Sequence, residues 1–310
     1  MALALASAGC VTLDVLGARR APLERSVVRE GRGPTVALVE IEGPIRENER
    51  RLALRGGEST VARVREQLDR AREDRVAGLL LRIDSPGGGA TASEIVYREL
   101  LAFKRERGVP VVAQLMGMAA SGGYYAAMAA DYLVAYPTTV TGSIGAIFVN
   151  VSLAGLMEKL GIADQTLVSG PRKDAASPLR RMSAAERAEL QAVIDDLSAR
   201  FREVVTRGRP ALTPEVVAKL ADGRVYSGPQ ARERGLVDAI GGLDDAIAEL
   251  ERRLGRGDVR VVAYHRPSEW RSNLYTQATP APALGAELGA LLGELAPEPG
   301  FYYLWWPAAE

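Results

Sequence analysis

Residues 76–94 read VAGLLLRIDSPGGGATASE. The aliphatic run Val76–Ile83 predicts a buried strand. Asp84-Ser85-Pro86-Gly87-Gly88-Gly89 stops it. Thr91 and Glu94 then have the spacing of a capping box, which predicts a helix to about Arg107. Strand, glycine turn and helix in immediate succession form the repeating unit of an α/β fold.

The same alternation continues on both sides. Upstream, Thr35–Ile41 (TVALVEI) is a β-branched run closed by Gly43-Pro44 and predicts a strand. Glu58 to Asp74 predicts a charged helix with Val61, Val64 and Leu68 on one face. Downstream, Val109–Leu115 predicts a strand ending near Met116. A small-residue stretch follows, then a helix-like YYAAMAA to Ala130. Val109 to Ala130 is apolar enough to suggest a membrane helix. Pro110, the Gly122-Gly123 pair and the β-branched opening instead divide it into strand, turn and helix. Tyr132–Ala135 and Ala146–Val151 read as short strands flanking the turn Thr141-Gly142-Ser143-Ile144-Gly145, Leu153–Leu160 as a helix and Gln165–Val168 as a strand. Ser169–Arg181 has no period and two prolines, so it reads as a loop. Ser183 with Glu186, Thr213-Pro214 and Ser227 with Gln230 open further helices. Leu243–Leu254 is helical and Val259–Tyr264 a last strand. The expected class is α/β with largely parallel sheets.

Composition bounds the chemistry. The chain has 310 residues, 47% hydrophobic and 25% charged, with 39 basic and 39 acidic side chains. That excludes a disordered, collagen-like or multi-span membrane chain and argues against a nucleic-acid partner. A single cysteine, Cys10, and a single histidine, His265, exclude intramolecular disulfides, cysteine zinc sites and multi-histidine metal sites. Residues 2–9 (ALALASAG) are too short to span a bilayer. Small residues before Cys10 resemble a lipoprotein cleavage box, with Ser7 where a large aliphatic is usual; a modified Cys10 would tie the chain to a membrane surface. Residues 1–33 thus read as a signal-like segment and Arg-rich linker, 34–265 as the main domain, and 266–310 as a Pro/Ala-rich tail. The tail ends in the aromatic cluster Phe301-Tyr302-Tyr303-Leu304-Trp305-Trp306, expected to dock on this subunit or a neighbour.

Ser121 is the first candidate for chemistry. A serine at a strand-to-helix turn presents its hydroxyl, and flanking glycines let a carbonyl approach. It would also suit a plain helix cap. Gly87-Gly88-Gly89 exposes backbone N–H groups that could bind an oxyanion, or forms only a tight turn; no P-loop or dinucleotide spacing is present. A serine nucleophile needs a base. His265 has no recognisably placed carboxylate, and arginine stays protonated. Of the four lysines, Lys104, Lys159 and Lys219 lie in helical segments, whereas Lys173 lies in the irregular 169–178 loop, where functional groups concentrate. Bringing any lysine from about 10.4 to near 7 costs ~4 kcal/mol, within reach of desolvation. Ser143 is a candidate to orient such an amine.

At these residues the sequence resembles the signal peptide peptidase A (protease IV, S49) family of serine peptidases. The matching pieces are IDSPGGG (83–89), MGMAASGGYYAA (116–127), TGSIG (141–145), SGPRKDAASPLR (169–180) and GRVYSGPQARERGLVDAIGG (223–242). The resemblance implies a ClpP/crotonase-like fold of stacked ββα units and a Ser–Lys dyad. By motif, Ser121 is the nucleophile, Lys173 the general base and Ser143 the lysine-orienting residue; Gly88 and Gly122 supply the oxyanion hole. It implies no metal or cofactor, a homo-oligomeric ring in which neighbouring subunits complete the sites, small or apolar side chains in the pockets, and spent signal peptides as substrates at the extracytoplasmic face of a bacterial envelope. A crotonase-type acyl-CoA enzyme and an inactive peptide-binding scaffold are the competing readings; retention of both Ser121 and Lys173 argues against the second.

Overall fold

The computed structural model describes residues 21–47, 58–267, 269, 272–276 and 300–305; Cys10 lies outside them. In chain order the elements are β1 (Glu24–Arg29), β2 (Thr35–Glu42), α1 (Thr60–Glu73), β3 (Leu79–Ser85), β4 (Gly87–Gly89), α2 (Ala90–Arg107), β5 (Val111–Ala120), α3 (Gly122–Ala127), β6 (Tyr132–Ala135), β7 (Val140–Gly142), β8 (Ile147–Val149), α4 (Ala154–Lys159), α5 (Ala184–Gly208), α6 (Pro214–Leu220), β9 (Val225–Ser227), α7 (Gly228–Glu233), β10 (Ala239–Ile240), α8 (Leu243–Leu254), β11 (Arg260–His265) and β12 (Gly300–Leu304).

The main sheet has the order β1-β11-β2-β3-β5-β6-β10, with β7 and β9 continuing from the end of β5. From β11 to β10 every pairing is parallel. Both faces are covered, so its strands are apolar at successive positions rather than at alternate ones. On β2, Ala37, Val39 and Ile41 face the core under α1, α2 and α3, while Val36 and Leu38 face the core under α8. Helix α8 meets the second core with Leu243, Ala246, Ile247 and Leu250, a spacing that keeps one helical stripe on the sheet. A three-stranded sheet, β4-β12-β8, sits beside the carboxyl ends of the parallel strands.

Most expected elements are present, and the departures have physical reasons. The run Val76–Ile83 enters the sheet only at Leu79, because Ala77 N–H bonds back to Thr35 and Val76 closes α1. Thr91 and Glu94 form no capping box. Gly89 is the N-cap of α2, and the Glu94 carboxylate binds Tyr125, Arg98 and Arg200 instead. Residues 165–168 are irregular, with no partner strand to give them a ladder. Strand β5 does not stop near Met116 but continues through the small residues to Ala120. It can, because its partner changes from β6 to β7, and Thr139 bridges the change by donating to the Leu115 and Met116 carbonyls. Within the stretch read as a linker, β1 pairs antiparallel with β11. Among the described residues no helix is long and apolar enough to cross a membrane.

Candidate active site

The site is built at the carboxyl end of β5, where its partner changes from β6 to β7; crevices outside the carboxyl ends of the strands are where open α/β sheets bind ligands. Ala119 and Ala120 pair with Thr141 and Gly142 of β7. Their small side chains permit the close approach of β3 on the other side, where Ser85 pairs with Ala119. The next residue, Ser121, has φ 52° and ψ −117°. That combination is ordinarily a glycine's and costs about 1–3 kcal/mol for a residue with a Cβ. Two hydrogen bonds hold it there: Ser121 N–H donates to Gly142 O at 2.8 Å, and Ser121 O accepts from Tyr125 N–H at 2.8 Å. Its side chain does not cap α3. The cap explanation for this serine therefore fails. A strained serine between strand and helix has the form of a nucleophile elbow, with the hydroxyl standing clear of its own backbone.

Opposite Ser121 lies the glycine strand β4. Gly87 O accepts from Ile45 N–H at 2.9 Å and Gly89 N–H donates to Ile45 O at 3.0 Å. Strand alternation turns the Gly88 N–H to the other edge, away from Ile45. Gly87 (φ 95°) passes so near α3 that a Cβ on it would be 2.5 Å from Gly122 N. A Cβ on Gly122 would lie 2.3 Å from Ser93 Oγ and 3.1 Å from Gly87 Cα. No side chain fits at either position, so the backbone of Gly87–Gly89 and the first N–H groups of α3 form one cradle beside Ser121. Ser85 shapes it from behind, donating to Gly43 O at 2.6 Å and accepting from Gly87 N–H at 3.1 Å.

Ser143 directly follows the end of β7, where Gly142 pairs with Ala120 beside Ser121. It follows Gly142, which accepts from Ser121, and its own N–H donates to Arg224 O at 2.8 Å. It too has positive φ, 49°, and is buried. Lys173 is in a different setting. It is exposed in the turns of 171–176, where its N–H donates to Gly170 O. Arg180 clasps this loop: it bonds Asp174 at 2.7 Å and pairs with Glu186 in the first turn of α5. These bonds hold the Asp174 and Glu186 carboxyls below their usual range. Within one copy of the chain no hydrogen bond joins Lys173 to Ser121, Ser143 or any other described side chain. The structure thus assembles Ser121, Ser143, Gly88 and Gly122, and leaves Lys173 on the surface. His265 is remote from this grouping, bonded to Ser26 Oγ at 2.7 Å on the β1–β11 edge.

An aromatic group behind the cradle was not legible from the sequence. Tyr125 sits one turn along α3 from Ser121, with Tyr97 at 5.4 Å and Phe201 at 4.9 Å between ring centroids. Burial would raise the Glu94 carboxyl, but hydrogen bonds from Arg200, Tyr125 and Arg98 hold it at about 2. The charge so fixed anchors the Tyr125 hydroxyl. The sole advance signal was aromatic content spread over α2, α3 and α5, which reads equally well as ordinary core.

With this geometry in view, comparison with known proteins defines the class. Residues 103–256 match the profile of peptidase family S49. The chain is 39% identical over 213 residues to a candidate signal peptide peptidase, SppA, of Enterococcus faecium, covering 67% of this chain and 61% of that one. It is 37% identical over 211 residues to a candidate protease of Synechocystis sp., covering 68% of this chain and 71% of the relative. Against the chloroplastic serine protease SPPA of Arabidopsis thaliana it is 34% identical over 241 residues, covering 75% of this chain and 35% of that one. The chain belongs to peptidase family S49, a serine-type peptidase family with a ClpP-like α/β fold. The matched stretch spans about three fifths of the Enterococcus relative and about a third of the Arabidopsis one.

Proposed function

We propose that this chain is a serine endopeptidase in which Ser121 attacks the peptide carbonyl and Lys173, supplied by a neighbouring copy, is the general base. The observation that carries the reading is Ser121 itself: a buried serine held at φ 52° and ψ −117° beside a glycine cradle, its hydroxyl making no cap, has the costly conformation of a nucleophile elbow. A neutral lysine amine, oriented by Ser143, takes the Oγ proton as the C–O bond forms. The carbonyl oxygen becomes an oxyanion facing the N–H groups of Gly88 and Gly122, donors already aimed and needing no reorganisation. The lysine then protonates the leaving amine, and water hydrolyses the acyl-enzyme. Gly88 turns its N–H away from Ile45 to the edge that β12 occupies, so an extended peptide that displaces β12 would pair with β4 in its place.

The substrates proposed are extended apolar peptides, including signal peptides after release, in line with the name of the Enterococcus relative. A homo-oligomeric ring would bring Lys173 of one copy to Ser121 of the next, and Cys10 is the proposed lipid-anchor point at the envelope. The acyl-CoA alternative lacks any match among these relatives.

The test is serine-directed labelling with a fluorophosphonate, followed by peptide mapping. Ser121 is expected to carry the label; labelling elsewhere refutes the reading. Ser121→Gly should lose hydrolysis by more than about 1,000-fold, yet gain about 1 kcal/mol in unfolding free energy as the strain is relieved. A variant that is inactive but less stable would contradict the strained-nucleophile argument.

A further inference from the structure

We infer that Asp84 is a positioning residue for the nucleophile: its carboxylate holds an excess of residues in β5 and so brings Ser121 level with the glycine cradle. This rests on the proposed reading of Ser121 and adds to it a residue that acts through the backbone.

The observation is a break in the ladder. From Leu79 to Ile83, β3 pairs with Val111 to Leu115 of β5 in regular parallel register, and the next pair is Ser85 with Ala119. One residue of β3, Asp84, thus faces three of β5, Met116, Gly117 and Met118. Strand β3 cannot give way, because its other edge stays in register with β2. Glu42 lies opposite Asp84, Gly43 N–H donates to Asp84 O at 2.9 Å, and Ser85 Oγ donates to Gly43 O at 2.6 Å. The excess therefore bulges from β5 alone, and Gly117 at its middle is exposed. Bulges of this kind re-aim side chains beside active sites.

A bulge leaves main-chain groups without their ladder partners. On the β3 side, Asp84 Oδ1 accepts from Met118 N–H at 3.0 Å, so a side chain supplies the acceptor that the main chain of β3 no longer offers. On the opposite edge, the buried Thr139 hydroxyl reaches the Leu115 carbonyl at 3.0 Å and the Met116 carbonyl at 2.7 Å. An ionised carboxylate is the stronger kind of acceptor, and aspartate is short enough to keep Met118 close to β3. Met118 stands three residues before Ser121, and the residues between, Ala119 and Ala120, are tied to β7. The position of Met118 is thereby passed on to the elbow. The outcome is visible at Gly87, where a Cβ would be 2.5 Å from Gly122 N. Had β5 kept the register of its first half, Ser121 would stand level with Gly89, about 7 Å further along β4.

The experiment compares the full chain with Asp84→Ala, Asp84→Glu and Asp84→Asn. It measures the rate constant and stoichiometry of fluorophosphonate labelling, and kcat and KM for an apolar peptide. Asp84→Ala should slow labelling and kcat about 30- to 100-fold, with KM changed less than about 2-fold because β4 is unmoved. Labelling should still reach about one group per chain. Asp84→Glu, which pushes Met118 outward, should cost about 10-fold in both rates, whereas Asp84→Asn, which keeps an acceptor, should stay within about 3-fold of wild type. A residue serving the fold alone would lower the stoichiometry and leave the rate constant of the labelled fraction unchanged; that result overturns the assignment. Should Asp84→Ala fail to fold, Asp84→Glu decides, and wild-type rates in it overturn the assignment while an inactive Ser121→Ala leaves the nucleophile reading standing. Hydrolysis that persists in Ser121→Ala overturns both together.

Discussion

The neighbourhoods of Ser121 and Lys173 are built on opposite plans. Around Ser121 every residue from Ala119 to Ala130 is buried, the backbone is tied into β3, β7 and α3, and a costly φ is paid for by those contacts. Around Lys173 no residue from Gly145 to Ala185 is buried. The segment nonetheless carries Val151, Leu153, Leu156, Leu160, Ile162, Leu167 and Val168 on its surface. An exposed aliphatic stretch of that extent is the kind of surface that the proposed neighbouring copy would cover. The contrast teaches that the proposed nucleophile can be strained within one chain, because strain needs only rigid neighbours. The proposed base, Lys173, would need desolvation by a second copy.

The largest expected effect tests that contrast directly. Ser121→Ala and Lys173→Met should each lose more than about 1,000-fold in kcat/KM. If base and nucleophile come from different copies, assemblies formed by co-refolding the two variants should regain a measurable fraction of wild-type hydrolysis. A mixed assembly as inactive as its parents would break the comparison. Next in size is Gly122→Ala, whose new Cβ would meet Ser93 Oγ at 2.3 Å and displace the cradle. Hydrolysis should fall roughly 100-fold, and stability by about 1–3 kcal/mol, read by steady-state kinetics and urea unfolding.

Smaller again is the double variant Leu156→Ser, Ile162→Ser. Both side chains are more than half exposed in the single chain, so the melting temperature of the isolated subunit should move little. Sedimentation velocity should show smaller species, with activity lost in parallel; an unchanged assembly would show that this face is not the one used. The smallest effect concerns the rigid region. Glu94 is held at about 2 by Arg200, Tyr125 and Arg98, below its ordinary value of 4.5. Its contribution is therefore complete above about pH 5 and lost as pH falls from about 4.5 toward 2. The melting-temperature gap between wild type and Glu94→Gln should shrink over that window, and a gap independent of pH would remove the charge from the argument.

Particular residues show how far the linear text could be read. Ser121 and the glycines Gly87–Gly89 and Gly122 were visible because a serine among small residues and a glycine run after a strand are local patterns. The end of β5 was misplaced because Gly117, Met118, Ala119 and Ala120 have weak strand propensity, and only pairing with β7 makes them a strand. Glu94 has the spacing of a capping residue, yet ion pairs with Arg98 and Arg200 outweigh a cap worth about 1 kcal/mol. The aromatic cluster at 301–306 was noticed, but the seat of Phe301–Leu304 between β4 and β8 depends on contacts that link residues 97, 125, 201 and 303.

Sequence alone determined the α/β class and the order of its principal strands and helices, and it named candidate residues for acyl-transfer chemistry. Hydrophobic period, turn residues and side-chain chemistry are properties of short stretches. Only the tertiary structure decided that Ser121 is strained and uncapped, that Gly88 faces away from Ile45, and that Tyr303 fills an aromatic pocket beside the cradle. Those are relations between distant segments, set by which strands share a ladder and which surfaces exclude water.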